Sequence, residues 1–128
     1  MLNKVILMGR LTKDPELRSS RQGTSVASFS LACDRDFKGQ NGERETDFIN
    51  CVAWKGTAEF ISNYFRKGSL AVVEGSIQTR SWDKPDGGKG YATEVIVNNI
   101  YFAESKREAE INEPDVPLVI GDDDDLPF

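Results

Sequence analysis

The chain has 128 residues, with 16 Lys and Arg, 21 Asp and Glu, two Cys, no His and a net charge of −5. Such a length is expected to hold one domain of about 100 residues and leaves no room for a second. Without histidine or a CxxC pair, Cys33 and Cys51 supply neither a Cys/His zinc site nor a histidine general base, and are expected to be small buried thiols in a reducing compartment.

The charge is unevenly spread. All sixteen bases and thirteen of the acids lie at or before Arg107, a net +3, whereas residues 108–128 carry eight acids and no base, a net −8. A mildly basic body with an acidic tail is compatible with a polyanionic ligand in spite of the overall sign. Near the N-terminus the apolar run Val5 to Met8 is too short for a signal segment or a membrane span. The expectation is a cytoplasmic protein without a membrane.

In chain order, residues 2–11 and 26–35 are rich in aliphatic and β-branched residues and predict strands. The stretch between them holds the turn formers Asp14-Pro15, Ser19-Ser20 and Gln22-Gly23. In the second strand Ala27, Phe29, Leu31 and Cys33 alternate with Ser28, Ser30 and Asp34, as in a sheet with one wet face. A charged hairpin with Gly39, Asn41 and Gly42 leads to a third strand over about 46–54. From Thr57 to Lys67 the period changes, and Phe60, Ile61, Tyr64 and Phe65 make one stripe of a short helix. Arg66 and Lys67 suit its C-terminal dipole, and Gly68 suits a left-handed cap. Two further strands, about 70–82 and 91–102, are joined by Lys84-Pro85-Asp86-Gly87-Gly88-Lys89-Gly90.

Five strands with one short helix between the third and fourth have the connectivity of an OB-fold, an all-β Greek-key barrel whose face and loops bind oligonucleotides or oligosaccharides. A different five-stranded barrel is the alternative. From Ser105 the composition turns acidic and gains prolines, which predicts a disordered tail. The apolar residues Val116, Leu118, Val119 and Ile120 stand out within it, with docking on the barrel and waiting for a partner both open.

Parity within the strands isolates candidate binding residues. In the third strand Ile49, Cys51 and Ala53 form a small apolar face, which puts Phe48 and Trp54 on the opposite side with Asn50. In the fourth, Ala71, Val73, Gly75, Ile77 and Thr79 share the inner parity, and Trp82 falls with Arg80 on the wet side. Phe37 adds a ring in the charged hairpin. Strand aromatics are most often core or interface residues, yet four with the same outward or loop placement, interleaved with cations, suit single-stranded nucleic acid. Every unstacked base offers a π-face and every nucleotide a phosphate. The candidate phosphate contacts are Lys4, Arg10, Arg21, Lys55, Arg66, Arg80 and Lys84, each of which taken singly would be an ordinary solvated charge.

The end of the sequence is the other distinctive motif. Asp122, Asp123, Asp124 and Asp125 precede Leu126, Pro127 and Phe128, and the expectation is a tip read by another protein through an apolar pocket, with the aspartates steering the encounter and a terminal carboxylate on Phe128. Four adjacent carboxylates without a Gly-spaced loop make a poor metal cage, so no metal or cofactor is expected, and no nucleophile and base pair for catalysis.

The segments NKVILMGRLTKDPELR, VASFSLA, ETDFINCVAWKGTAEFISNYFRKGS, VVEGSIQTRSW, YATEVIVNNI and DDDDLPF together resemble bacterial and bacteriophage single-stranded DNA-binding proteins over nearly the whole chain. The resemblance implies base stacking by Phe37, Phe48, Trp54 and Trp82, the first two at positions where the family often has tryptophan. It also implies a homotetramer paired through strands near the N-terminus, and a tip that recruits replication, recombination and repair proteins. The expected organisation is a binding domain over 1–104, a short linker over 105–121 and the tip over 122–128. Two other classes fit parts of the sequence: an OB-fold accessory factor working mainly through protein contacts, and a small carboxylate hydrolase.

Overall fold

The computed structural model describes residues 1–104. The expectations for the 105–121 linker, for Val116 to Ile120 and for the 122–128 tip lie outside the described residues. Within them the elements are β1 (Val5–Leu11), β2 (Glu16–Ser19), β3 (Ser25–Lys38), β4 (Arg44–Trp54), α1 (Lys55–Tyr64), β5 (Leu70–Asp83) and β6 (Lys89–Phe102).

The strands form one sheet in the order β1-β5-β6-β4-β3-β2, and β1 pairs with β3 as well as with β5. That second pairing closes β1, β5, β6, β4 and β3 into a five-stranded barrel with the helix between β4 and β5, as the OB-fold expectation has it. All pairings are antiparallel except β4 with β6, where Cys51 faces Val95 and Val52 faces Ile96.

Two glycines make the closure sterically possible. A Cβ on Gly9, where β1 passes from β5 to β3, would lie 2.7 Å from the Ala32 carbonyl oxygen and 2.9 Å from Cys33 Sγ. A Cβ on Gly75 would lie 1.9 Å from the Ile96 carbonyl oxygen, at the bulge where the β5–β6 register slips after Glu74. Only a residue without a side chain allows backbones this close.

The core gathers the inner parity of each strand. Leu11, Ala27, Phe29, Leu31, Cys51, Ala53, Ala71, Val73, Val95 and Val97 meet Ala58, Ile61 and Phe65 from the helix side. Burial pushes the Cys51 thiol up to about 12, with Cys33 adding a smaller repulsion, so the thiol is protonated and inert at neutral pH. Both cysteines are free.

The boundaries differ from the sequence pattern in instructive ways. β2 is an additional strand in what reads as a turn region: its four residues are all exposed, and it exists only because its backbone pairs with Ser25 to Ser28. No hydrophobic alternation marks such an element. The helix runs from Lys55 to Tyr64, and its C-cap Phe65 is extended, with its N–H donating to the Ile61 carbonyl. Gly68 does adopt a left-handed φ of 87°, but in the turn beyond the helix, where the Ser69 N–H donates to the Arg66 carbonyl. The Phe60–Ile61–Tyr64–Phe65 stripe divides. Ile61 and Phe65 enter the core, whereas Phe60 and Tyr64, about 100° round the helix, stay exposed. Ile77 and Thr79, on the inner parity of β5, are also exposed because β5 and β6 run past the barrel as a two-stranded ribbon.

Replacing Gly75 with alanine is expected to destabilise the fold by about 1–3 kcal/mol, the usual cost of forced overpacking, measured by urea denaturation. An unchanged midpoint would show that the β5–β6 crossing has room for a side chain.

Candidate nucleic-acid interface

Register places three of the four predicted rings on one face. Phe48 and Trp54 share the outer parity of β4, opposite Ala32 and Val26. Ser28 and Ser30 lie between these partners on β3, facing Val52 and Asn50, so the rings stand at the two ends of a floor of small side chains. Six residues of strand separate them by roughly 20 Å. Val52 pairs with Ile96, and Ile96 with Ser76. The same parity therefore continues across β6 and along β5 to Arg80 and Trp82. Phe48 is 68% exposed, Trp54 45% and Trp82 43%, although each belongs to a regular strand.

Trp54 owes its position to a backbone break. It ends β4 and forms the N-cap of α1, and Lys55 immediately after it has φ 59°, the one positive φ at a non-glycine among the described residues. A lysine held in this sparsely populated region is unusual. It marks the change from strand to helix between Trp54 and Lys55.

Trp82 rests on a glycine. Its cross-strand partner is Gly90, where an added Cβ would lie 2.4 Å from two carbons of the indole. The Arg80 guanidinium sits 4.9 Å from the Trp82 ring centroid while its Nε donates to Glu94 Oε1 at 2.9 Å. The ring is thus held between a bare backbone and an anchored cation.

Phe37 sits elsewhere, 84% exposed on the β3–β4 hairpin within the irregular stretch between Asp34 and Lys38. The hairpin is braced by polar contacts. Arg35 Nε and Nη2 donate to the two carboxylate oxygens of Asp47 at 3.0 Å each, Arg35 Nη1 donates to Glu45 at 2.6 Å, and Thr46 donates to Asp34 at 2.6 Å. Hydrogen bonding from Arg35 holds the Asp47 carboxyl below the ordinary carboxylate range. Gly42, at φ 80°, makes the tight turn.

The seven predicted cations fall into two groups. Arg21, Lys55 and Lys84 form no ion pair among the described residues, and Lys84 lies at the β5–β6 turn just beyond Trp82. The other four have internal partners: Lys4 pairs with Glu74 at 3.0 Å, Arg10 with Glu104 at 3.1 Å and Arg80 with Glu94. Arg66 donates to the carbonyls of Ser62 and Phe65 at the end of α1, the dipole contact anticipated from its position. The Glu74 carboxyl is held low, first by hydrogen bonding from Asn99 and then by Lys4. Sequence reasoning passed over Lys38 and Arg44, which face each other beside Phe37, and the exposed Tyr91 on the opposite parity of the β5–β6 ribbon. It also passed over Gly90 as the seat of Trp82. Pairing register supplies that signal, and a single strand's periodicity does not.

Among the described residues no group of three His, Cys, Asp or Glu side chains is placed to hold a metal ion. No helix among them is long and apolar enough to cross a membrane. The closed five-stranded barrel with its helix between β4 and β5 defines the class, an OB-fold protein, here with exposed rings on one sheet face. The model of the Single-strand binding protein family matches residues 2–103, and the chain belongs to that family.

Relatives agree. A single-stranded DNA-binding protein of Halalkalibacterium halodurans is 54% identical over 106 residues, 83% of this chain and 63% of that protein. One from Bacillus cereus is 53% identical over 106 residues, 83% of this chain and 62% of the relative. The chain thus spans somewhat less than two thirds of the length of these relatives. Among solved structures, a Plasmodium falciparum SSB complex with ssDNA superimposes with a TM-score of 0.72 at 31% identity, covering 80% of this chain and 95% of that one.

Substituting Gly90 with alanine is expected to lift the Trp82 indole off the ribbon and shift tryptophan emission to longer wavelength, with the far-ultraviolet circular dichroism of the barrel unchanged. Emission identical to the parent's would show that the ring does not depend on this seat.

Proposed function

We propose that the protein binds single-stranded DNA without sequence preference and performs no chemistry on it. The observation that carries this reading is the placement of Phe48, Trp54 and Trp82, all exposed, on one continuous outer face of the β3-β4-β6-β5 sheet. Exposed rings on a wet sheet face have no role in the barrel's own core. They offer planar platforms to unstacked bases, each stack contributing about 1–3 kcal/mol. Duplex DNA hides its base faces and gains nothing from them. Phe37, at the tip of the braced β3–β4 hairpin, is the fourth platform, reached by a strand that follows the groove.

Phosphates are met by Lys55 beside Trp54, by Lys84 beyond Trp82, and by Arg21 in the β2–β3 turn. Arg80 has two tasks, steadying the indole and presenting its remaining donors outward. Lys4, Arg10 and Arg66, already engaged internally, contribute more weakly. Counterion release from these contacts makes binding fall with salt.

The homotetramer implied by the family resemblance finds support in the outer face of β1 and its neighbours. Ile6, Met8 and Tyr101 are exposed and Val72 is half-buried on adjoining strands, a patch suited to burial against another copy. The tip, Asp122 to Asp125 with Leu126, Pro127 and Phe128, is assigned to recruiting replication, recombination and repair enzymes, with residues 105–121 as its linker.

Titrating the protein with oligo(dT) at two salt concentrations, with duplex of equal phosphate content as control, should give saturable tryptophan quenching by the single strand alone. Trp54→Ala and Trp82→Ala should each weaken binding by about 1–3 kcal/mol in a folded protein. Equal quenching by duplex, or unchanged affinity in both variants, would remove the DNA assignment.

The tip is tested separately. Replacing Leu126 and Phe128 with alanine should abolish capture of partner enzymes while leaving the oligo(dT) isotherm in place. Loss of both activities together would contradict the division between barrel and tip.

A further inference from the structure

The exposed aromatic residues of α1 and of the end of β6 are left unused by the proposed DNA-binding face. Phe60 and Tyr64 project from α1 with ring centroids 5.0 Å apart, and Phe60 also meets Phe102, at 6.0 Å. Phe102 stacks on buried Phe65, with centroids 4.4 Å apart and planes 7° from parallel. Phe60, Tyr64 and Phe102 are all exposed, so Phe65 anchors an aromatic shelf whose outer surface is open. Arg66 and Lys67, both exposed, follow directly at its edge.

The shelf lies where the chain leaves the barrel. Phe102 ends β6, and the described residues stop two positions later at Glu104. Twelve residues on, after a hydrophilic stretch with one proline, Pro114, comes Val116-Pro117-Leu118-Val119-Ile120, four aliphatic side chains around one proline. Acids flank this run, Glu113 and Asp115 before it and Asp122 to Asp125 after it, opposite in sign to Arg66 and Lys67.

We infer that residues 116–120 dock on the Phe60–Tyr64–Phe102 shelf of the barrel from which they emerge. A coil of twelve residues has an end-to-end distance of roughly 20 Å, enough to return to a surface beginning at its own point of departure. Tethering over that span gives an effective concentration on the order of millimolar, so a contact too weak to form between separate molecules is occupied within one. Aliphatic side chains on aromatic faces supply the apolar contact, and the flanking acids meet Arg66 and Lys67. Docking would shorten the free tether of the acidic tip, holding Asp122 to Asp125 a few residues from a fixed point near α1.

Amide hydrogen exchange on the full chain without DNA tests this. With an intrinsic affinity on the order of 0.1 mM, the amides of Leu118, Val119 and Ile120 should exchange about tenfold slower than in an unstructured peptide. The protection should disappear in Leu118→Ser/Ile120→Ser, which leaves the barrel sequence untouched, and in Phe60→Ser/Tyr64→Ser with the barrel still folded. It should also survive tenfold dilution. Unstructured rates in the parent chain would overturn the inference. Protection lost on dilution would place the segment on another molecule, and protection surviving the Phe60→Ser/Tyr64→Ser change would place it on another surface; either result defeats docking on this shelf.

Discussion

At Gly9 the first strand changes partners. Val5 to Arg10 run along β5, while Arg10 and Leu11 run along β3, and the chain passes so close to β3 that a Cβ on Gly9 would lie 2.7 Å from the Ala32 carbonyl oxygen. If β1 stayed with β5 alone, the sheet would remain open, with Leu11 and Leu31 facing water. Closure instead removes two sheet edges and encloses the inner parity of five strands, which lets a domain of this size bury a core of mostly small residues. Gly75 meets the same demand on the other side of β1's partner strand, where the bulge bends β5 and β6 around the barrel. Everything outside the barrel takes its direction from these two close approaches.

Once the ring is closed, the long strands have more residues than the barrel needs. β3 with β4, and β5 with β6, continue outward as ribbons that have two wet faces and no core of their own. A two-stranded ribbon in water is marginal by itself, and here polar side chains orient it. Arg35 grips Asp47 and Glu45 across one ribbon, and Arg80 grips Glu94 across the other. At the base of the second, the Asn3 amide donates to the Ile77 carbonyl and accepts from the Ile77 N–H, extending the β1–β5 ladder with a side chain. Exposed ion pairs add little stability. Their effect is on geometry: they orient the ribbons that carry Phe37 and Trp82, which would lower the ordering cost of the proposed DNA binding.

Charge and apolar surface are divided along the chain in a way that fits these separate tasks. Phe48, Trp54 and Trp82 lie on the outer face of β3-β4-β6-β5, the exposed Ile6 and Met8 belong to β1, and the aromatic shelf of α1 includes Phe102, two residues before the last described residue. The net negative charge of the chain therefore says little about what the barrel binds, because residues 108–128 alone carry −8 and an approaching ligand meets the local field of the barrel.

Much of this was legible in the residues. Alternation in β3 and β4 assigned Ala27, Phe29, Leu31, Cys51 and Ala53 to the inside and Phe48 and Trp54 to the outside, since a strand has only two faces and polar neighbours mark the wet one. The change of period near Thr57 announced the helix, and with the strand order it was enough for the barrel. Properties that arise between strands were not legible. β2 is made by pairing alone, the seat of Trp82 on Gly90 depends on cross-strand register, and Ile77 lies on an inner parity beyond the end of the inside. The split of the helical stripe, with Phe65 inward and Tyr64 outward, was fixed by where α1 meets the barrel. The sequence by itself thus determined which side chains are apolar and how they alternate, because those are local properties of a pleated or helical backbone. Only the tertiary structure decided which strands are neighbours, where the barrel stops and which rings share a face, because these depend on closing a ring between residues far apart in the chain.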